Sequence, residues 1–226
     1  MMAPAAADVL RLIDHSLLQP CATRADVEAA CALARRLGLA AVVVQPCWAG
    51  LAAETLYGSG VRAASVVGFP LGATTTEAKL MEALGLVQAG VGEVDMVLNL
   101  GWLKSGLQEE AAHEVGAVKA VLRPAGVLLK VILEVGYLRD AEKTEAAQMA
   151  AVAGADVVKT CTGFGPGQAT VEDVRLLRAA VPDSVGVKAA GGIRTLAQAR
   201  ELVAAGATRL GTSATVAIAR ELGLEV

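Results

Sequence analysis

The 226-residue chain is 54% hydrophobic but only 3% aromatic, so its core is expected to consist of Ala, Val and Leu. A net charge of −3 without any Lys/Arg-rich block excludes a general nucleic-acid binder, and no apolar run reaches the roughly 18 residues of a membrane helix. Four cysteines without paired spacing (Cys21, Cys31, Cys47, Cys161) and two isolated histidines, His15 and His113, argue against a metal centre or a disulfide scaffold and favour a reducing, cytoplasmic setting.

Residues 1–8 carry no basic segment, so no signal peptide is expected. A short strand is predicted over 12–15, a helix over 24–37 and a strand over 39–44. Further strands are predicted over 62–67, 93–98, 127–134, 156–159, 184–188 and 208–211. Helices fall near 76–89, 106–122, 140–153, 170–180 and 195–205, two of them punctuated by Pro124 and Pro182. Gly38, Gly90, Gly154 and Gly206 each stand between a helix and the next strand, where a left-handed cap is expected.

Strands alternating with helices imply parallel βαβ units, and eight such units suit a compact (β/α)8 barrel forming one domain over 1–226. An open doubly wound sheet is the alternative. The barrel is preferred because charges recur at alternate strand positions: Asp95, Val97 and Asn99; Lys130, Ile132 and Glu134; Val157 and Lys159; Gly186 and Lys188. A sheet covered on both faces would bury these charges in apolar layers, whereas a barrel points them into one lumen where they pair.

Barrel active sites lie at the C-terminal ends of the strands. Candidate residues there are Asp14, Asn99, Glu134, Lys159, Lys188 and Ser213, with Asp95 one turn deeper. Two lysines end adjacent strands and are followed by small-residue loops. Two ammonium groups about 4 Å apart at an effective dielectric of about 20 repel by roughly 4 kcal/mol. That moves one pKa from about 10.4 toward about 7, and desolvation acts in the same direction. One lysine then becomes an amine nucleophile. Lys159, followed by the tight Thr160-Cys161-Thr162-Gly163 turn, is the chosen nucleophile and Lys188 its charged neighbour; the bland alternative pairs either with Asp95 or Glu134. Asp95 is either a proton shuttle or a counter-ion. Asp14 either binds a substrate hydroxyl or caps the turn before Arg24.

The loops after strands seven and eight, Ala190-Gly191-Gly192-Ile193-Arg194 and Gly211-Thr212-Ser213-Ala214, run into helices and suit a phosphate cradle, unless they are only tight turns. Gly163 to Gly167 adds possible donors, although Pro166 breaks any dinucleotide fingerprint. Neither histidine supports a Ser-His-Asp arrangement. Cys47, which follows strand two, either faces the barrel mouth or, as expected here, is a buried, inert thiol.

Taken together, Glu93-Val94-Asp95-Met96-Val97, Leu129 to Glu134, Val158 to Phe164 and Val187 to Arg194 make the chain resemble the 2-deoxyribose-5-phosphate aldolases, over essentially its whole length. The resemblance implies a metal-independent, class I (β/α)8 enzyme without an organic cofactor. It implies reversible cleavage of 2-deoxy-D-ribose 5-phosphate to D-glyceraldehyde 3-phosphate and acetaldehyde. Lys159 matches the Schiff-base lysine, and Asp95 with Lys188 the proton-relay pair. Asp14 matches an aspartate at the substrate hydroxyl; Gly191, Gly192 and Ser213 match phosphate-binding positions. Thr162, Gly163 and Gly211 complete the expected substrate-binding set. The chain departs from some members in carrying Phe164 where they have a lysine, and in ending at Glu225-Val226 where they have a tyrosine that reaches the site.

The expected partners are therefore a small phosphosugar and aldehydes, with no nucleic acid and no membrane, in a homodimer or homotetramer. Two other readings stand beside this one: a phosphosugar isomerase or lyase using carboxylates, and a non-catalytic sugar-phosphate sensor.

Overall fold

Small and β-branched residues dominate the strands, and each strand pairs in parallel with its neighbour in the chain. In the computed structural model, which describes residues 9–226, the strands are β1 Ile13–Leu17, β2 Ala41–Val44, β3 Arg62–Val67, β4 Glu93–Val97, β5 Leu128–Ile132, β6 Val157–Lys159, β7 Gly186–Ala190 and β8 Arg209–Thr212. β8 returns to pair with β1, which closes the barrel and rules out the open sheet. Residues 1–8, where no signal peptide is expected, lie outside the described residues.

The helices are α1 Arg24–Leu37, α2 Ala49–Leu56, α3 Thr76–Gln88, α4 Leu100–Lys104, α5 Gln108–Leu122, α6 Asp140–Val152, α7 Val171–Ala180, α8 Leu196–Ala204 and α9 Thr215–Glu221. Threonine hydroxyls at 23, 75, 170 and 195 accept from the first-turn N–H groups of α1, α3, α7 and α8, fixing where those helices begin. Gly38, Gly90, Gly154 and Gly206 all have positive φ, as expected of helix-ending glycines. No described helix is long and apolar enough to cross a membrane.

Two helices, α2 and α4, were not expected. α2 is Ala-rich and short, and α4 is only five residues long, so neither shows a full amphipathic period. β5 also ends two residues earlier than expected. Glu134 lies beyond it with φ 49°, turning the chain away, so Glu134 does not share the lumen face with Lys130.

Alternation along the strands splits the barrel into two environments. Val42, Val44, Ala63 and Val67 join the large apolar cluster beneath the helices. Ala41, Val43, Ala64 and Val66 form a separate apolar cluster with Leu18 and Phe69 on the other face of β2 and β3. One side of the lumen is thus small and apolar. The other, built by β4 to β8 and β1, carries the charges.

Candidate active site

Strand register decides which charges meet. Asp95 of β4 lies opposite Lys130 of β5, Lys159 of β6 opposite Lys188 of β7, and Lys188 opposite Arg209 of β8. Lys130, Lys188, Asp14, Glu93 and Asp95 are fully buried, and Lys159 is 2% exposed. Such a cluster is tolerable only when its members pair. They do. Asp95 Oδ1 accepts from Lys130 at 2.8 Å, and its Oδ2 accepts from both Lys159 and Lys188 at 2.8 Å. Asp14 takes Lys188 on Oδ2 (2.5 Å) and Arg209 on Oδ1 (2.6 Å). Glu93 holds Lys130 on Oε2 (2.6 Å) and Arg209 on Oε1 (2.8 Å). Every oxygen of these three carboxylates is therefore held by a cation.

The cations differ in how well they are matched. Lys130 contacts Asp14, Glu93 and Asp95, and is pushed well above the ordinary lysine value because three carboxylates outweigh its burial. Among the described residues, Lys159 contacts a carboxylate only through Asp95 Oδ2, which it shares with Lys188. Burial is the largest influence on Lys159 and lowers its pKa; Asp95 opposes this, and Lys188 adds repulsion. The net result is a pKa of about 8. The amine is thus activated by desolvation first and by its lysine neighbour second, the reverse of the weighting expected from the sequence. Asp95 itself stays well below the carboxylate range: burial would raise it, but Lys130, Lys159 and Lys188 together prevail.

Above this layer opens a cavity of about 270 Å³ at the C-terminal end of the barrel, with Lys159 in its lining. Thr162, Gly163, Gly191, Gly192, Gly211 and Ser213, all expected from the sequence, line it as well. Among the described residues none accepts a hydrogen bond from the backbone N–H of Gly163, Gly192, Ile193 or Ser213, which leaves these donors for an anion. Gly192 sits at φ +75°, a conformation few side chains adopt. Gly211 makes room for Lys188: a Cβ there would lie 3.1 Å from Lys188 Cε and 2.8 Å from Ala190 Cβ. Thr162 is held by Glu134, whose carboxylate accepts its hydroxyl and its N–H, while the Thr162 hydroxyl accepts from the N–H of Phe164 at 3.0 Å.

Asp14, Asp95 and Lys188 do not line this cavity but lie beneath it, and Asp14 does not cap the turn before Arg24. Asn99 caps α4 through Trp102 N–H. His15 bonds Thr215 through Nδ1 at 2.9 Å. Cys47 is exposed, not buried, because Pro46–Trp48 folds as a surface turn; the buried thiols are Cys31 and Cys161. Phe164 lines the cavity and packs edge-on against Phe69, with ring centroids 5.3 Å apart. Sequence reasoning did not assign Lys130, Glu93 and Arg209 to the charged layer as a set. Period-two alternation could have found them, since Glu93 lies two before Asp95 and Arg209 two before Gly211. Arg194, quoted only as part of a loop, contributes a cation to the cavity wall.

An enclosed amine of lowered pKa beneath a glycine-lined anion cradle is an arrangement suited to imine chemistry on a phosphorylated carbonyl compound. Residues 9–214 match the model of the DeoC/LacD family aldolases. The chain is 48% identical over 215 residues to the deoxyribose-phosphate aldolase of Caldanaerobacter subterraneus, covering 95% of this chain and 93% of that one. It is 46% identical to that of Aciduliprofundum boonei, over 97% of this chain and 99% of the relative. Among solved structures, the tetrameric deoxyribose phosphate aldolase of Aeropyrum pernix superposes with a TM-score of 0.90 at 33% identity, covering 98% of this chain and 94% of that one. Fold, family match and relatives agree from one end of the barrel to the other: the chain belongs to the DeoC/LacD family of aldolases.

Proposed function

We propose that the chain is a class I deoxyribose-phosphate aldolase, reversibly cleaving 2-deoxy-D-ribose 5-phosphate to D-glyceraldehyde 3-phosphate and acetaldehyde through an imine on Lys159. One observation carries the reading: Lys159 is the lumen lysine that reaches the cavity, and its pKa of about 8 leaves roughly a tenth of it neutral at pH 7. A carboxylate-driven isomerisation is disfavoured, because every oxygen of Asp14, Glu93 and Asp95 already holds a cation; in the cycle below the mobile proton of the Lys188–Asp95 pair is carried by the Lys188 amine.

Neutral Lys159 attacks C1 of the open-chain sugar, and the carbinolamine loses water, taking its proton from the Lys188–Asp95 pair. The C3 hydroxyl then gives its proton to that pair through water. The C2–C3 bond breaks and its electrons pass into the protonated imine. Glyceraldehyde 3-phosphate leaves with the phosphate that the Gly191-Gly192 loop, Arg194 and Ser213 had held. The relay returns the proton to C2 of the enamine, and addition of water to the protonated imine frees acetaldehyde and neutral Lys159, the proton released restoring the Lys188–Asp95 pair. Asp14 acts beneath the floor by holding Lys188, with any contact to a substrate hydroxyl made past that lysine.

The same reading places the enzyme in the cytoplasm, which suits its free thiols, as a homodimer or homotetramer, a choice guided by the tetrameric Aeropyrum pernix relative. Borohydride reduction with acetaldehyde tests the mechanism. A single ethyl adduct on Lys159, absent from a folded Lys159→Leu variant that no longer cleaves substrate, is the expected result. Labelling at another lysine, or turnover by Lys159→Leu, refutes it.

A further inference from the structure

We infer that Lys130, Glu93 and Arg209 are positioning residues for the aldol reaction, setting the charge balance of the lumen so that Lys159 is, among the described residues, its one amine without a carboxylate of its own. The inference rests on Lys159 being the nucleophile. None of the three lines the cavity, so none touches substrate there.

The layer holds three carboxylates, Asp14, Glu93 and Asp95, against four cationic side chains, Lys130, Lys159, Lys188 and Arg209. Three of the cations are multiply paired. Lys130 meets three carboxylates, Lys188 meets Asp14 and Asp95, and Arg209 meets Asp14 and grips both oxygens of Glu93. Lys159 has half of one oxygen's attention. When it sheds its proton the buried charges cancel, so the surplus falls on the amine that faces the cavity. Balance is therefore a property of the whole layer, and groups on β4, β5 and β8 control it.

The surroundings of Lys159 leave few other contributors. Asp95 from β4 pairs with it directly and Lys188 from β7 shares that carboxylate oxygen, while Lys130 from β5 acts from the other Asp95 oxygen. Glu93 from β4, Asp14 from β1 and Arg209 from β8 stand one partner farther off, bound to Lys130 and Lys188 or to one another. Near its own strand end, burial pushes the Cys161 thiol up to about 12, so that group carries no charge. Glu134, beyond β5, is engaged by the Thr162 N–H and hydroxyl and, among the described residues, forms no ion pair with a lysine. Arg62 approaches Glu93 at 3.6 Å but is half exposed, so water screens it.

The test exploits sign. Removing a cation makes the layer neutral with Lys159 protonated; removing an anion leaves a larger surplus. The pH midpoint for reductive trapping of acetaldehyde on Lys159 is expected to rise by about one unit in Lys130→Met and to fall by about one unit in Glu93→Gln. It should return near the wild-type value in the double variant. Arg209→Gln, altering a partly exposed side chain, should also raise it and serves if Lys130→Met does not fold. A merely structural role predicts loss of activity in all four without opposite displacements. Midpoints unmoved while Lys159 is still labelled overturn this inference alone. No label on wild-type Lys159 overturns the imine reading and this inference with it.

Discussion

Replacing Lys188 by Met removes a cation while keeping its stem volume, and the structure gives the size of the response. Lys159 and Lys188 both donate to Asp95 Oδ2 at 2.8 Å, so their nitrogens are no farther apart than twice that distance. At about 5 Å and an effective dielectric of about 20, two unit charges repel by roughly 3 kcal/mol, equivalent to about 2 pKa units. The variant also frees Asp95 Oδ2 to pair with Lys159 alone, which acts in the same direction. The Lys159 pKa should rise from about 8 to about 10. Its neutral fraction at pH 7 then drops from roughly a tenth to roughly a thousandth, a loss of about 100-fold in imine formation.

Lys188 also shuttles protons in the proposed cycle, and the two losses separate by pH. Trapping acetaldehyde on Lys159 with borohydride from pH 6 to 11 gives a midpoint, which reports charge, and a plateau, which reports proton transfer. The midpoint should move up by about two units and the plateau should fall. A midpoint still near 8 would refute the reasoning, since it would show that Lys188 contributes nothing to the lowered pKa of Lys159.

Gly192→Ala forces a side chain onto φ +75° and sets its Cβ 2.7 Å from Gln168 Oε1; KM for the phosphorylated substrate should rise about tenfold, with acetaldehyde trapping on Lys159 unchanged. Asp14 and Asp95 have pKa values held below the ordinary 3.8, so the stability they supply is intact above that pH and lost as pH falls below it. Thermal scans from pH 7 to 2 should show Tm flat to about 4 and then falling. Outside the barrel, Lys79 Nζ donates to Glu114 Oε2 at 2.7 Å and to Val97 O at 2.9 Å with both side chains fully buried. Lys79→Met should cost about 3–5 kcal/mol in denaturant titrations, and Lys79→Met with Glu114→Leu should recover most of it.

Much of the barrel was legible because its signals are local. Threonine caps, helix-ending glycines and strand runs are each written in a few adjacent residues, and α1 begins and ends where its spacing predicts. Glu134 was misplaced because period two assumes that the strand continues. At Ile132 the backbone leaves it, and the φ of 49° that turns Glu134 toward Thr162 has no signature in a non-glycine residue. α2 and α4 were missed because eight and five residues are too short to display a helical face. The position of Lys159 at the cavity and of the loops around it was legible because a lysine at the end of an apolar strand is costly wherever it occurs.

The charge state of that lysine was less legible, since it depends on residues from six strands. Crowding two ammonium groups raises the energy of protonation only if nearby carboxylates do not absorb the charge, and here Asp95 binds both. A lysine pair facing an equal number of free carboxylates would simply be neutralised, and the nucleophile would stay protonated. The lumen avoids this because Lys130 and Arg209 occupy Asp14, Glu93 and the second oxygen of Asp95. Their cost of burial is offset by that pairing, which denies counter-ions to Lys159 and leaves desolvation to act on it. Cations remote from the cavity thus do for the nucleophile what a second lysine alone would not.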